Sequence, residues 1–470
     1  LPADGAAALM IKRLDQAVRD GDRIYAVIKG LGNASGEFSE SSPLKAETVS
    51  RSIRRACSRA DIDPLSIGYV ETHGSGIPSE DTLEANVLQE VFTDPSRPVA
   101  LGTTKHLIGH AGAASGLISV LKASLCLYHG LIAPAHSVEA PVPAGWQKRK
   151  LHLPHQTQFW FRDRSAGLRR ALTCAHTADG TCMHAVLEEV DFENIDLAPS
   201  VNDKMDTERR QPLGHLPCGL FPVSASAPSE LPAALNRLAS RTKAVIGAGD
   251  GSIDIETIAA DWFRGTDQEN LLPARVCLLA DNPNQLLERI ETAREFVSKG
   301  IQCAERGVWF YPDIDIQKKD LAFVFPGSGN HYLGMGRDLG ARWPDILREI
   351  DTESEMLMSQ ALPGLFMPYR LSWPHGWQND AYRAINASPL AIILGQVAHG
   401  DVVCRLMGRF GLKPQAVIGY SLGEVTGLMA MQAWTDRDQL HARMLSSDLF
   451  TSVLVPPYTS ARSAWQVPSD

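Results

Sequence analysis

The chain has 470 residues, of which 44% are hydrophobic and 21% charged. That is room for two to four globular domains with cores of their own, and a formal charge of −9 argues against a nucleic-acid or anionic-membrane surface. No apolar run reads as long enough to span a bilayer and no charged-then-apolar leader opens the chain. Eight scattered cysteines without a C-x-x-C pair argue against zinc or a disulfide framework, so a reducing cytoplasm is expected.

The chain opens on Leu1 and runs into a strand-like stretch at 4–11, which reads as a start inside a domain. Residues 1–190 then alternate short apolar runs with helical patterns, at 25–28, 46–60, 67–71, 82–91, 99–102 and 112–129, the rhythm of a layered α/β domain. Residues 191–320 change character: a polar stretch at 191–211, a strand at 219–225, a helix through 231–239, a loose Gly/Asp segment at 247–252, a strand at 275–280 and a helix from Pro283 to Lys299. They predict a small α/β domain. Residues 321–470 hold two glycine turns after apolar runs and close on a Pro/Ser-rich tail at 455–470.

In the first region, Val-Glu-Thr-His-Gly-Ser-Gly at 70–76 puts His73 at a strand end inside a glycine turn. Another strand ends on Lys105 and, five residues on, His110. Two imidazoles so placed can converge on one substrate oxygen, each donating an N–H; an ordinary turn histidine is the competing reading of each. His106 and His110 stand four apart, as helical metal ligands do, but Gly109 lies between them and no third ligand is near, so no metal is expected. Cys57 falls mid-helix among Ile53, Ala56 and Ala60, where a cysteine acts as a small apolar residue.

In the last region, Ala416, Val417 and Ile418 read as a fully covered parallel strand leading into Gly-Tyr-Ser-Leu-Gly at 419–423. A G-x-S-x-G turn exposes a serine hydroxyl at a helix amino end, making Ser421 the candidate nucleophile and Leu422 N–H an oxyanion donor. An N-capping serine in a tight turn is the alternative. The second glycine turn, Phe-Pro-Gly-Ser-Gly-Asn at 325–330, can bring the Ser328 N–H beside Ser421 and favours an acyl-transfer site.

These last segments resemble the malonyl/acyl-CoA:carrier-protein transacylases of fatty acid and polyketide synthases, which read F-P-G-Q-G-S-Q and G-H-S-x-G-E. Here Ser328 and His331 stand for the glutamines and Tyr420 for the histidine. The first region is similar to the carboxy-terminal half of a β-ketoacyl synthase, with its V-E-A-H-G-T-G-T-x-x-G-D-x-x-E and K-x-x-I-G-H motifs. Asp81 and Glu84 follow His73 at the family spacing, and Lys105, Ile108, Gly109 and His110 fit the second motif. Ile77 and Leu107 replace the family's threonine and asparagine, residues 177–180 replace its G-F-G-G, and 182–189 resemble its N-A-H-V-V-L-E-E. The combination looks most like the ketosynthase–acyltransferase subunit of polyunsaturated-fatty-acid and heterocyst-glycolipid synthases.

The resemblance implies an α/β chain in three parts: a thiolase-like layered half-domain at 1–190, a small linker domain at 191–320 and an incomplete, α/β-hydrolase-like acyltransferase core at 321–470. It implies acyl transfer, malonyl or similar, from coenzyme A through Ser421 to the phosphopantetheine arm of an acyl carrier protein. His73 and His110 would stabilise a thioester enolate in decarboxylative condensation, with Lys105 setting the charge around His110. The family's carboxylate-binding arginine aligns with Ser446, so Arg443, three residues earlier, is the candidate substitute. No bound cofactor, no nucleic acid and no membrane span are expected, and a ketosynthase-type homodimer is expected of the parent enzyme. The family's general base falls past residue 470, so the 470-residue chain alone is expected to be inactive. A non-catalytic carrier-docking scaffold and a free-standing serine hydrolase are the alternatives.

Overall fold

The computed structural model describes residues 2–36, 44–94, 98–135, 151–192, 194–195, 199–247, 254–265, 274–312, 320–450 and 452–468. It divides into two compact units, Leu1–Pro212 with Ala322–Asp470, and Leu213–Leu321. The strands, in chain order, are β1 (Val27–Ala34), β2 (Tyr69–Glu71), β3 (Val99–Gly102), β4 (Leu131–Ile132), β5 (Leu151–His152), β6 (Gln158–Phe159), β7 (Arg170–His176), β8 (Cys182–Glu188), β9 (Gly219–Ala225), β10 (Ala274–Ala280), β11 (Cys303–Glu305), β12 (Val308–Phe310), β13 (Ala322–Phe325) and β14 (Ala416–Gly419).

In the larger unit a six-stranded sheet runs β1-β8-β7-β2-β3-β5, with β7, β2, β3 and β5 mutually parallel and the β1–β8–β7 edge antiparallel. Its middle strands are apolar on both faces, as parallel strands between helical layers must be. Ile53, Cys57, Val70, Val87, Leu88 and Leu172 pack on one face, and Tyr69, Ala100, Ala123, Leu127 and Ala171 on the other. Helix Ala46–Ala60 lies so close to β1 that a Cβ at Gly32 would stand 2.1 Å from Ser52 O. This is the layered α/β arrangement expected of the first region.

Residues 322–470 join that unit through buried charge. Arg169 bonds Glu189 (2.9 Å) and Asp351 (3.2 Å), and Arg162 bonds the same two carboxylates. Arg348 donates to His129 O (2.7 Å) and Arg209 O (2.6 Å), the last carbonyls of helices Ser115–His129 and Pro199–Arg209, where a cation meets the negative helix ends.

The smaller unit is α/β as well, an antiparallel sheet β11-β12-β10-β9 with a core built from Phe221, Leu235, Ile258, Leu278 and Ile290. Its first helix, Leu231–Gly247, runs eight residues past the expected 231–239 because Thr242 is still buried against the core. Of the loose segment expected at 247–252, residues 248–252 lie outside the described residues.

Three expectations need correction. Residues 4–11 form no strand; only Pro2 pairs, with His110, and Met10 and Ile11 stand exposed with no strand beside them. The strand before Ser421 is not fully covered. β13 and β14 pair only with each other, in register Phe323↔Val417 and Val324↔Ile418. Helix Leu422–Ala430 covers one face, where Gly427 meets Phe325 and Val417, and the other face leaves Val324 69% and Ile418 58% exposed. Third, helix Pro389–Arg409 is 21 residues long, with a mean hydropathy of 1.4 over its most apolar stretch, and so meets the length and composition of a bilayer span. Leu394, Val397, Ala398, Val402 and Leu406 are buried in this protein's own core, so it packs as an interior helix.

Candidate active site

β2 and β3 are tied where they end: Thr72 N–H and hydroxyl both donate to Gly102 O, at 2.8 and 2.9 Å. His73 follows, only 6% exposed, in a turn fastened from helix Pro78–Val91. Glu84 accepts the N–H groups of His73 (2.7 Å) and Gly74 (3.0 Å), and Asp81 accepts Gly76 N–H (3.1 Å) and the Ser75 hydroxyl (3.2 Å). The turn needs φ of +52° at Gly74 and +80° at Gly76, where glycine alone rests without strain. The two carboxylates, three residues apart on one helix face, therefore shape the histidine turn. Burial raises the Glu84 pKa against the pull of those two N–H bonds.

At the end of β3 the single helical turn Lys105–Ile108 stops at Gly109 (φ 74°), and His110 comes next. The His73 and His110 rings lie 5.4 Å apart at 78°. His73 Nδ1 accepts the backbone N–H of His176 (3.2 Å), and His110 Nδ1 accepts that of Gly112 (3.2 Å). An Nδ1 used as acceptor places the ring proton on Nε2, so both rings present an Nε2–H donor. Burial first, then the charges of His176, Lys105 and His110, push the His73 pKa down to about 3, so its ring is neutral. Lys105 Nζ is buried with no hydrogen-bond partner among the described residues, and burial lowers its pKa. Such a pair of Nε2–H donors suits an oxygen that gains negative charge during reaction.

In the last region β14 delivers Ser421 at φ 54°, ψ −117°, a conformation side chains other than glycine avoid. Close approach explains the flanking glycines. A Cβ at Gly423 would stand 2.0 Å from Phe325 O, and one at Gly419 2.4 Å from Glu424 N. Ser421 precedes helix Leu422–Ala430, yet its hydroxyl makes no cap bond and is exposed. The 327–329 loop is fixed from helix Pro389–Arg409: Gln396 accepts Gly329 N–H (3.0 Å) and donates to Gly327 O (3.3 Å). Tyr420 N–H bonds Phe325 O (3.1 Å), joining the loop to the serine turn. Among the described residues the N–H groups of Ser328 and Leu422 and the Ser421 hydroxyl make no hydrogen bond. His441 is buried on helix Arg437–Ser446, its pKa lowered by that burial. Arg443, on the same helix, is exposed, and no hydrogen bond or ion pair joins it to Ser421 among the described residues.

Residues 25–139 match the family model described as "Beta-ketoacyl synthase, C-terminal domain". Over those residues the chain matches a ketosynthase C-terminal domain. Over 451 residues, 95% of this chain, it is 28% identical to "Pikromycin polyketide synthase component PikAIII" of Streptomyces venezuelae, of which it covers 26%. Over 469 residues, 96% of this chain, it is 29% identical to "Mycocerosic acid synthase-like polyketide synthase" of Mycolicibacterium smegmatis, of which it covers 20%. The chain thus spans about a quarter or less of these relatives. The solved "Ketosynthase from module 6 of the bacillaene synthase from Bacillus subtilis 168" aligns at 24% identity and a TM-score of 0.36, over 62% of this chain and 47% of that one.

The ketosynthase domain keeps Cys57 buried in helix Ala46–Ala60, and burial pushes its thiol up to about 11, so it is an unreactive packing residue. Ile77 and Leu107, the departures from the family pattern, are both exposed. His184 lies deep in β8 with its Nδ1 2.8 Å from Ser52 Oγ, linking sheet to helix. The sequence reading missed His176. It ends β7, the parallel neighbour of β2, as His73 and His110 follow the ends of β2 and β3. Histidines at the carboxyl ends of three adjacent parallel strands were the available signal, because such ends open on one edge of a sheet.

Proposed function

We propose that this chain is the junction between ketosynthase and acyltransferase in a cytoplasmic polyketide or fatty acid synthase of the polyunsaturated-fatty-acid and heterocyst-glycolipid kind. Its parts are the ketosynthase at 1–190, a linker domain at 191–320 and the front of an acyltransferase at 321–470. The observation that carries the acyltransferase reading is the backbone of Ser421, held at positive φ with an exposed, uncapped hydroxyl where two glycine turns meet. The alignments with the two synthases also run through this region.

In this reading Ser421 Oγ attacks the thioester carbonyl of malonyl-CoA or a similar acyl-CoA. The oxyanion is received by Leu422 and Ser328 N–H, coenzyme A leaves as its thiol, and the acyl group passes to the phosphopantetheine thiol of a carrier protein. Arg443 is the residue proposed to meet a substrate carboxylate. No described residue places a base on Ser421, so loading is assigned to the parent enzyme. In the ketosynthase, His73 and His110 hold the thioester oxygen as the carbon–carboxylate bond breaks and carbon dioxide leaves, with a homodimer as the working form.

Radiolabelled malonyl-CoA and acetyl-CoA given to the parent synthase test this. Wild type is expected to retain covalent label and Ser421→Ala to lose it; label retained by Ser421→Ala overturns the assignment. The lone hydroxyl favours one second reading, a carrier-docking scaffold, for which Ser421→Ala leaves product formation unchanged.

A further inference from the structure

The ring of His176 is the most unusual group near the histidine pair. Both of its nitrogens are buried without a partner among the described residues, although one must carry a proton and the other a lone pair. Such a group is costly unless something satisfies it. The ring lies 4.8 Å from that of His73, tilted 40° to it, and 5.6 Å from that of His184. Burial and the charge of Lys105 hold its pKa down to about 4, so it is a neutral hydrogen-bonding group.

Lys105 is the second unsatisfied group in the same place. The nearby carboxylates are bonded to other groups, apart from Glu71 Oε1, which has no hydrogen-bond partner among the described residues. Glu84 has both oxygens on the His73 and Gly74 N–H groups, Asp81 holds Gly76 and Ser75, and Glu71 takes the Tyr69 hydroxyl and Lys122 (2.9 Å). Lys105 Nζ makes no hydrogen bond or ion pair among the described residues, although the charges of Glu71, Glu84 and Asp81 act on it. Its own charge acts on the His73 and His176 rings, so donor capacity beside the imidazoles is left for an anionic acceptor. Metal is a poorer occupant: among the described residues the one cluster with metal-ligand spacing lies elsewhere, an exposed His215 with the half-buried Asp254 and Glu256.

We propose that His176 is a third substrate-contacting imidazole of the ketosynthase site, which with Lys105 receives the free carboxylate of a dicarboxylic acyl thioester. This rests on the ketosynthase reading of His73 and His110. Those two rings hold the thioester oxygen; His176 donates an N–H to the carboxylate at the other end. A neutral donor orients the carboxylate without adding a second full charge, which would oppose its departure. Position 176 thereby selects thioesters that bear a carboxylate over simple acyl thioesters.

The test uses the 470-residue chain with 15N-labelled histidine and the N-acetylcysteamine thioesters of malonate and acetate. The malonyl thioester is expected to shift the ring resonances of His73, His110 and His176, and the acetyl thioester those of His73 and His110 alone. His176→Phe is expected to lose about tenfold of the preference for malonyl over acetyl, the size of one hydrogen bond to a charged group, while His176→Gln retains part of it through its amide N–H. Gln also guards against misfolding of the Phe variant. If malonate shifts His73 and His110 but not His176, or if both variants keep the full preference, the proposal falls and the ketosynthase reading stands. If neither thioester shifts any of the three rings, both fall.

Discussion

The six-stranded sheet and the two-stranded sheet of the larger unit place reactive groups at strand ends by different means. β2, β3 and β7 are covered on both faces, and their end turns are fastened by Glu84, Asp81 and Thr72. β13 and β14 have one bare face, and the turns after them are held by glycine contacts and Gln396. In the first case rigidity comes from the core. In the second it comes from backbone fit and from ion pairs on the surrounding helices.

Three measurements separate those sources. The largest effect is expected from Asp401→Ala, on the helix whose Gln396 holds the 327–329 loop. Asp401 is fully buried, pairs with Arg405 at 3.0 Å, and compensates the buried Arg437. Its loss leaves an uncompensated guanidinium and is expected to cost about 3–5 kcal/mol in urea unfolding; a cost below about 1 kcal/mol would show that ion pairs do not hold this region.

Next, Leu172→Ala and Ile418→Ala compare the two sheets directly. Leu172 is fully buried in β7 and its truncation is expected to cost about 2–5 kcal/mol. Ile418 stands on the bare face of β14 and is expected to change stability by no more than about 0.5 kcal/mol. Equal costs would break the comparison.

The third measurement reads a slope, the response of stability to acid. His73, at about 3, and His176 and His399, at about 4, have folded pKa values below the ordinary 6.5, so the fold favours their neutral rings. Their contribution is whole above pH 6.5 and is lost as pH falls toward 4, at ~1.4 kcal/mol per pH unit for each ring. His399 lies on helix Pro389–Arg409 and the other two at strand ends of the six-stranded sheet. His73→Gln with His176→Gln is therefore expected to flatten the acid slope of unfolding about twice as much as His399→Gln.

Much of the fold was legible where pattern and packing agree. Helix Ala46–Ala60 and strand β3 read correctly because their apolar residues recur at the period of the element that buries them. The histidine turn was legible because its glycines and its Asp–Glu pair have local jobs. The bare face of β14 was not: Ala-Val-Ile reads the same whether one helix layer covers it or two, and only strand pairing decides. The apolar helix Pro389–Arg409 was overlooked because glycines, His399 and Asp401 break its run. His176 was hidden because a lone histidine at a strand end carries no pattern until β7 is known to lie beside β2.

The bond that sets the His73 proton comes from the main chain of residue 176, not from its side chain. Any residue but proline can supply that N–H. Evolution can therefore change what the pocket prefers by altering this one side chain while the tautomer of His73 is inherited intact. Residue 176 is a place where specificity can drift without disturbing the proton on which the chemistry depends.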